Sequence, residues 1–178
     1  MRHEVRFSGF GGQGVILAAV ILGRAAALYD GKYAVQTQVY GPEARGGASM
    51  SAVIIDDEPI LYPEVSVPDL YVIMSQEGFE RYGAKAPKEA VMIIDSDMVE
   101  GRPACTFHEV PATSEARNTL GKVIVANIVM LGAVVAVTVI VSEAAIEKAV
   151  LDSVPKGTEK LNLAALRKGI ELIRGRKG

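Results

Sequence analysis

The chain has no tryptophan, one cysteine and two histidines. A single thiol, Cys105, permits neither a disulfide framework nor a thiolate cluster. With only His3 and His108 beside it, a metal site built from this chain alone is not expected, and an iron–sulfur cluster has no ligands here. Aromatic residues make up 6% of the chain and the formal net charge is −2. A basic surface interleaved with stacking rings is therefore missing, and no nucleic-acid partner is expected. Met1-Arg2-His3-Glu4 leads straight into the first apolar alternation, so no secretory leader and a cytoplasmic location are expected. No repeat or low-complexity linker divides the 178 residues, and 49% hydrophobic content supplies the core of one domain spanning 1–178.

Charge is also absent from residues 123–141, a stretch long enough to span a bilayer. Asn127 sits inside it, Gly132 interrupts it, and no Trp or Tyr anchors flank it. The expectation is a helix buried against a sheet, with no membrane partner. Residues 135–141 are either its last turns or a short extended piece.

What the chain does have is glycine in one place. Arg6-Phe7-Ser8-Gly9-Phe10-Gly11-Gly12-Gln13-Gly14-Val15 begins as an alternating strand, with Val5 and Phe7 inward and Arg6 and Ser8 outward, and breaks into four glycines. An alanine-rich apolar helix follows over 15–28. Strand, glycine turn and helix in that order suit an anion: backbone N–H groups are accessible where no Cβ intervenes, and a helix N-terminus carries partial positive charge. The bland alternative is a tight turn that binds nothing.

After the turn at Asp30-Gly31, residues 33–39 read as a second strand. A dinucleotide fold would place an acid at its end for a ribose hydroxyl; Gln36 and Gln38 stand there instead. Tyr40-Gly41-Pro42-Glu43-Ala44-Arg45-Gly46-Gly47 is a loop by composition, in which Arg45 meets an anion or a partner's carboxylate, or is simply solvated. Residues 50–55 form a third strand, 56–59 an acidic turn and 60–62 a returning strand, so a hairpin and a mixed sheet are expected. The continuous apolar run 70–74 reads as a central strand, followed by Ser75 as the cap of a helix over 76–82. If this strand and the first are parallel neighbours, Ser75 and Gln76 lie near the glycine turn. Further strands are expected over 90–94 and 104–110. Asp95 and Asp97 read as a loop and helix cap rather than a metal pair, and Cys105 as a core residue. A helical region starts at 113–117 and continues through the apolar stretch; Ser142 caps another helix. A last helix over 162–173 carries Leu163, Leu166, Ile170 and Ile173 on one stripe. The fold class is α/β: a three-layer α/β/α Rossmann-like domain with a mixed, mostly parallel sheet. It holds no nucleophile–base pair and no P-loop lysine.

Gly9-Phe10-Gly11-Gly12-Gln13-Gly14-Val15 resembles the opening motif of the gamma subunits of 2-oxoacid:ferredoxin oxidoreductases. Tyr40-Gly41-Pro42-Glu43-Ala44-Arg45-Gly46-Gly47 is similar to their second signature, and Pro68-Asp69-Leu70 with Met74-Ser75-Gln76-Glu77 to their third. Asn127 through Gly132-Ala133, then Val154-Pro155-Lys156-Gly157-Thr158-Glu159-Lys160-Leu161-Asn162, resembles the closing pattern. The resemblance implies a hetero-oligomer that decarboxylates a 2-oxoacid oxidatively with coenzyme A, giving an acyl-CoA and carbon dioxide and reducing ferredoxin. Thiamine diphosphate with magnesium, and iron–sulfur clusters, belong to alpha, beta and ferredoxin-like delta partners. Carried over, Gly9, Gly11, Gly12, Gln13 and Gly14 face the nucleotide end of coenzyme A, with Gln13 bonding the adenine or a phosphate. Glu43, Arg45, Gly46, Ser75 and Gln76 are candidates for an anion or partner contact, and this chain has no catalytic residue of its own. The motifs are closest to 2-oxoglutarate-type members, although pyruvate, branched-chain and indolepyruvate enzymes share the gamma fold. The competing readings are a free-standing NAD-binding Rossmann-like protein and a purely structural subunit.

Overall fold

The computed structural model describes residues 1–39 and 47–175. Six strands form one sheet: β1 (His3–Phe10), β2 (Tyr33–Val39), β3 (Ala48–Asp56), β4 (Leu70–Ile73), β5 (Val91–Asp95) and β6 (Thr106–Val110). Their order is β2-β3-β1-β4-β5-β6. β3 runs antiparallel to both β1 and β2, whereas β1, β4, β5 and β6 pair in parallel. Five strands therefore point one way, and the sheet is mixed but mostly parallel, as expected.

The mixed character has a different source from the hairpin expected at 56–62. Residues 60–62 form no strand, and Leu61 and Tyr62 are among the most exposed large hydrophobic side chains of the described residues. β3 instead turns back along β2. This correction has a physical basis: Pro59 and Pro63 bracket the segment, and proline cannot donate to a ladder.

Helices cover both faces. On one lie α1 (Val15–Arg24, prolonged by a π-helical turn, Ala25–Tyr29), α4 (Ala126–Thr138), α5 (Glu143–Ser153) and α6 (Glu159–Arg174). They pack on Val5, Phe7, Val53, Val72 and Ile93. On the other, the short helix α2 (Gln76–Gly78, continued by Phe79–Gly83) and the segment after β5 cover Tyr71, Ile73, Met92 and Ile94. Cys105 is buried in that second cluster, and burial pushes its thiol pKa up, away from thiolate chemistry. Ser8, expected outward, does lie on the second face, but it is fully buried there beneath Gly78.

The apolar stretch is not one continuous helix with residues 113–117. Helix α3 (Ala112–Ser114, continued by Glu115–Thr119) ends before Gly121, whose φ of 77° is a left-handed stop. A 3₁₀ turn, Val123–Val125, then leads into α4. The first ten residues of α4 are all buried. Of the described residues, no helix is long and apolar enough to cross a membrane. α4 meets α6 backbone to backbone: a Cβ on Gly132 would fall 2.1 Å from the Leu166 carbonyl oxygen, and one on Gly169 1.9 Å from that of Val129.

α4 closes on Val139, at φ 55° and ψ 26°, 75% exposed. A β-branched residue in the left-handed region is strained, and solvent gives nothing back. Val139→Gly is expected to stabilise the chain by about 1 kcal/mol, read as a rise in the denaturation midpoint; a fall would mean that the valine makes a compensating contact.

Asp95 and Asp97 act as the cap anticipated for them. Asp95 is wholly buried; its carboxylate accepts from Asp97 N (3.1 Å) and from Thr113 Oγ1 (2.6 Å). Asp97 Oδ2 accepts from Ser114 N (2.7 Å), so both acids hold the start of α3. Burial raises the Asp95 pKa, only partly offset by the Thr113 and Asp97 bonds. A carboxyl whose folded pKa exceeds its unfolded value binds protons better in the native state. Its contribution therefore turns against folding as pH rises from the unfolded pKa through the folded one. Asp95→Asn keeps one acceptor oxygen for the backbone N–H of Asp97, turns the other into a donor that the rotatable Thr113 hydroxyl can accept from, and removes that dependence. Urea melts at pH 4 and pH 7 should show the variant gaining on the parent at pH 7; a larger gain at pH 4 would contradict the sign.

Candidate functional site

The glycine turn leaves β1 at the carboxyl ends of the parallel strands. Its shape is set by its own hydrogen bonds. Gln13 N donates to Phe10 O at 3.2 Å, and Gln13 Oε1 accepts from Phe10 N at 2.8 Å. Gln13 Nε2 donates to Met74 O at the end of β4, at 2.7 Å. The Gln13 amide thus ties the turn to the neighbouring strand, using one donor and one acceptor and leaving one N–H and one lone pair. Gly9 makes room for this fold-back, since a Cβ there would lie 2.4 Å from Gln13 Oε1.

Gly14 ends the turn at φ 74° and serves as N-cap of α1. Its carbonyl accepts from Ala18 N and from Asn127 Nδ2, both at 3.0 Å. A Cβ on Gly14 would lie 2.4 Å from that Asn127 nitrogen. Gly11 and Gly12 differ: a Cβ on either would meet no atom within 4 Å. They are not glycine for internal packing, although Gly12, at φ 92°, also needs its freedom for the turn.

The N-terminus of α1 is bare. It has no side-chain cap and no acid in its first turn. α2 and α5, by contrast, carry Ser75 and Ser142 as caps, with Glu77 and Glu143 in their first turns. The first donors of α1 therefore present their dipole with no side-chain acceptor from the cap or the first turn.

Three clefts flank the turn. One, of about 470 Å³, runs along α1 and is lined by Phe10, Gly12, Gly14, Leu17, Val20 and Ser49, with no cation. The remaining two carry cations. Of these, one, of about 390 Å³, is lined by Phe10, Gly12, Gln13, Met74, Thr113, Arg117 and Ile124. The other, of about 240 Å³, joins Gly14 and Leu17 to Lys122, Asn127, Pro155, Thr158 and Asn162. This last cleft brings the glycine turn, the apolar stretch and the closing motif together. Asn162 Nδ2 is turned inward to Thr158 O (3.0 Å). Arg117 and Lys122, which line these clefts, and Lys156 and Lys160, beside lining residues in the chain, form no ion pair among the described residues. This end of the molecule therefore offers cations and bare N–H donors together.

Ser75 lies beside the turn, because β1 and β4 are parallel neighbours and the preceding Met74 carbonyl holds Gln13, whereas Gln76 is directed to the segment after β5. Ser75 Oγ accepts from Gly78 N at 3.0 Å. Gln76 Oε1 accepts from Glu100 N at 2.9 Å and Gly101 N at 3.2 Å, and its Nε2 donates to Glu80. Both side chains are engaged within the chain. Glu43, Arg45 and Gly46 lie outside the described residues. Asn127, Asn162, Arg117 and Lys122 were not singled out as site residues from sequence. Asn127 did carry a signal, as the one amide in an uncharged stretch; the two cations carried none.

The second strand bears on the NAD reading. β3 lies between β1 and β2, so Gln36 and Gln38 are on an outer strand, not on the neighbour of β1. The place where a dinucleotide fold puts its ribose-binding acid is occupied by an antiparallel strand.

Strand, open glycine turn and bare helix end, set in a mostly parallel sheet with helices on both faces, define a Rossmann-like α/β class of domain, with no acid–base or nucleophilic machinery in the turn. The family model for pyruvate ferredoxin/flavodoxin oxidoreductase matches residues 4–172. The chain is 54% identical to 2-oxoglutarate synthase subunit KorC of Methanocaldococcus jannaschii, over 98% of this chain and 95% of that one. Its fold matches the gamma subunit of a keto/oxoacid ferredoxin oxidoreductase from Geobacter sulfurreducens PCA, with a TM-score of 0.87, 45% identity and coverage of 97% and 99%. The 2-oxoglutarate:ferredoxin oxidoreductase of Magnetococcus marinus, solved with 2-oxoglutarate, coenzyme A and succinyl-CoA bound, shares the fold at a TM-score of 0.86 and 20% identity. There, 98% of this chain covers 31% of a longer one. The chain belongs to the gamma subunits of the 2-oxoacid:ferredoxin oxidoreductases, within the pyruvate ferredoxin/flavodoxin oxidoreductase family.

Proposed function

We propose that this gamma subunit works in a 2-oxoglutarate:ferredoxin oxidoreductase and contacts coenzyme A through its glycine turn. The complex would convert 2-oxoglutarate and coenzyme A to succinyl-CoA and carbon dioxide, passing the electrons to ferredoxin. The substrate assignment rests on the 54% identity to a 2-oxoglutarate synthase subunit. Thiamine diphosphate, magnesium and iron–sulfur clusters would reside in alpha, beta and ferredoxin-like delta partners. Among the described residues, no group of three or more His, Cys, Asp or Glu could hold a metal.

One observation carries the coenzyme A contact: Gly11 and Gly12 have open space where a side chain would be, directly before an uncapped helix N-terminus. Phosphates of coenzyme A fit there, since bare N–H groups replace water around an anion and need close approach. Arg117, Lys122, Lys156 and Lys160 supply long-range attraction. Gln13, Asn127 and Gly9 hold the turn in shape, and Leu17, Ile124 and Phe10 offer apolar walls to the rest of the nucleotide. This chain binds and covers; it moves no proton and forms no bond to the substrate.

The test is native purification of the tagged chain under anaerobic conditions, with mass spectrometry of what accompanies it and an assay of ferredoxin reduction across 2-oxoacids. Thiamine-binding and ferredoxin-like chains, with highest kcat/KM on 2-oxoglutarate, are the expected result. A chain that elutes alone would overturn the subunit reading, and a preference for pyruvate would overturn the substrate.

A further inference from the structure

The connection from β3 to β4 is built against ordinary loop chemistry. Leu61 and Tyr62 are 87% and 79% exposed. They stand between Pro59 and Pro63, which restrict the backbone before any contact is made. The loop is also fastened from beneath. Arg2 Nη2 donates to Tyr62 O at 3.2 Å, and Arg6 Nη2 donates to Val65 O at 3.2 Å. Two arginines thus hold carbonyls of the loop while its two largest apolar side chains point to water. A fixed loop displaying a Leu-Tyr pair has the make-up of an interface anchor: rigid, amphipathic and already ordered.

Charge selects the occupant. Glu58 and Glu64 flank the pair, and neither forms an ion pair among the described residues. No lysine or arginine occurs between Asp56 and Asp69. A second copy of this chain meeting loop to loop would set these glutamates against their own counterparts; the arginines beneath the loop are already engaged, Arg2 with Glu4 and the carbonyls of Tyr62 and Glu64 and Arg6 with that of Val65. A different subunit with a basic rim around an apolar pocket would pair with them. The loop begins at the sheet end opposite the glycine turn, because β3 runs against β1. The anchor is therefore distinct from the coenzyme A contact.

We infer that Leu61 and Tyr62 form a docking peg that inserts into an apolar, Lys/Arg-rimmed pocket on a partner subunit of the same oxidoreductase. The inference rests on the reading that the chain works in a multisubunit complex. Two side chains fall far short of the roughly 800 Å² that each side of a stable interface buries, so the peg anchors a larger contact. The peg lies away from the buried core, and Leu61→Ser/Tyr62→Ser should fold with an unchanged melting temperature.

The experiment co-expresses the tagged chain with the thiamine-binding and ferredoxin-like subunits recovered in the native purification. It measures the complex by native mass spectrometry over a dilution series, for the parent, the double serine variant and Glu58→Lys/Glu64→Lys. The expected result is about thirtyfold weaker assembly for the serine variant, the scale of losing a hot spot. The charge-reversed variant should lose affinity most at low salt. Unchanged assembly of both variants, with the parent complex formed, would overturn the peg and leave the subunit reading standing. A parent chain that recruits no partner would overturn both. A parent that dimerises alone, with serine variants monomeric, would replace the partner pocket with a second copy.

Discussion

Gly11→Val raises the apparent KM for coenzyme A at least about tenfold in the assembled complex, while kcat at saturating coenzyme A and the melting temperature stay near those of the parent. Tenfold corresponds to ~1.4 kcal/mol of lost binding. The expectation rests on the asymmetry among the four glycines. Gly9 and Gly14 are packed against Gln13 and Asn127, so side chains there would break the turn itself. Gly12 has room but sits at φ 92°, where valine is strained whatever the ligand does. Gly11 has room and no left-handed φ. Valine there changes only the space above the turn, which the proposal assigns to phosphate. Loss of binding with kcat retained is the signature of an interaction made equally in ground and transition states. An unchanged KM in an intact complex would leave the glycine turn as a structural feature only.

Gly132→Ala destabilises the fold by about 3 kcal/mol, at the upper end of ordinary overpacking. For a chain of this size that lowers the melting temperature by roughly 6–12 °C. The sign is the informative part. Helix propensity alone favours alanine over glycine by about 1 kcal/mol. Here the added methyl meets the Leu166 carbonyl oxygen at 2.1 Å and the Gly169 Cα at 3.1 Å. Backbone cannot swing aside as a side chain would, so α4 and α6 must separate, and the core they share with the sheet loosens with them. α4 also carries Asn127, whose amide holds Gly14. The same variant should therefore weaken coenzyme A binding, if it assembles at all. A stabilised Gly132→Ala would mean that the two helices are not in backbone contact.

Much of this architecture was legible because local chemistry and tertiary packing agree. The continuous run at β4 is buried on both sides, the serines at 75 and 142 do cap helices, and Val5 and Phe7 face the core. The misreadings occurred where a partner distant in sequence decides the outcome. Ile60-Leu61-Tyr62 has the residues of a strand, but its brackets are prolines and no strand edge receives it. β2 follows β1 through a helix, as in a dinucleotide fold, yet β3 inserts between them, and no local pattern announces an insertion. Ser8 looks like the polar side of an edge strand, but α2 folds over it. In the site, the glycines were legible because their spacing is a backbone requirement. That Gln13 spends its amide on Phe10 and Met74 was not, since only the parallel pairing of β1 with β4 brings Met74 within reach. Arg117 and Lys122 are ordinary surface cations in sequence; only the fold brings them to the clefts beside the turn, where the proposal uses them.

The central claim is that coenzyme A lies on the glycine turn of this subunit. Amide hydrogen exchange on the assembled complex, with and without saturating coenzyme A, tests it most directly. The account predicts slowed exchange at residues 11–17, at the open turn and the first donors of α1, with little change at residues 57–68 on the far side. Unaltered exchange at 11–17, in a complex that binds coenzyme A and turns over, would contradict it and place the nucleotide wholly on the partner subunits.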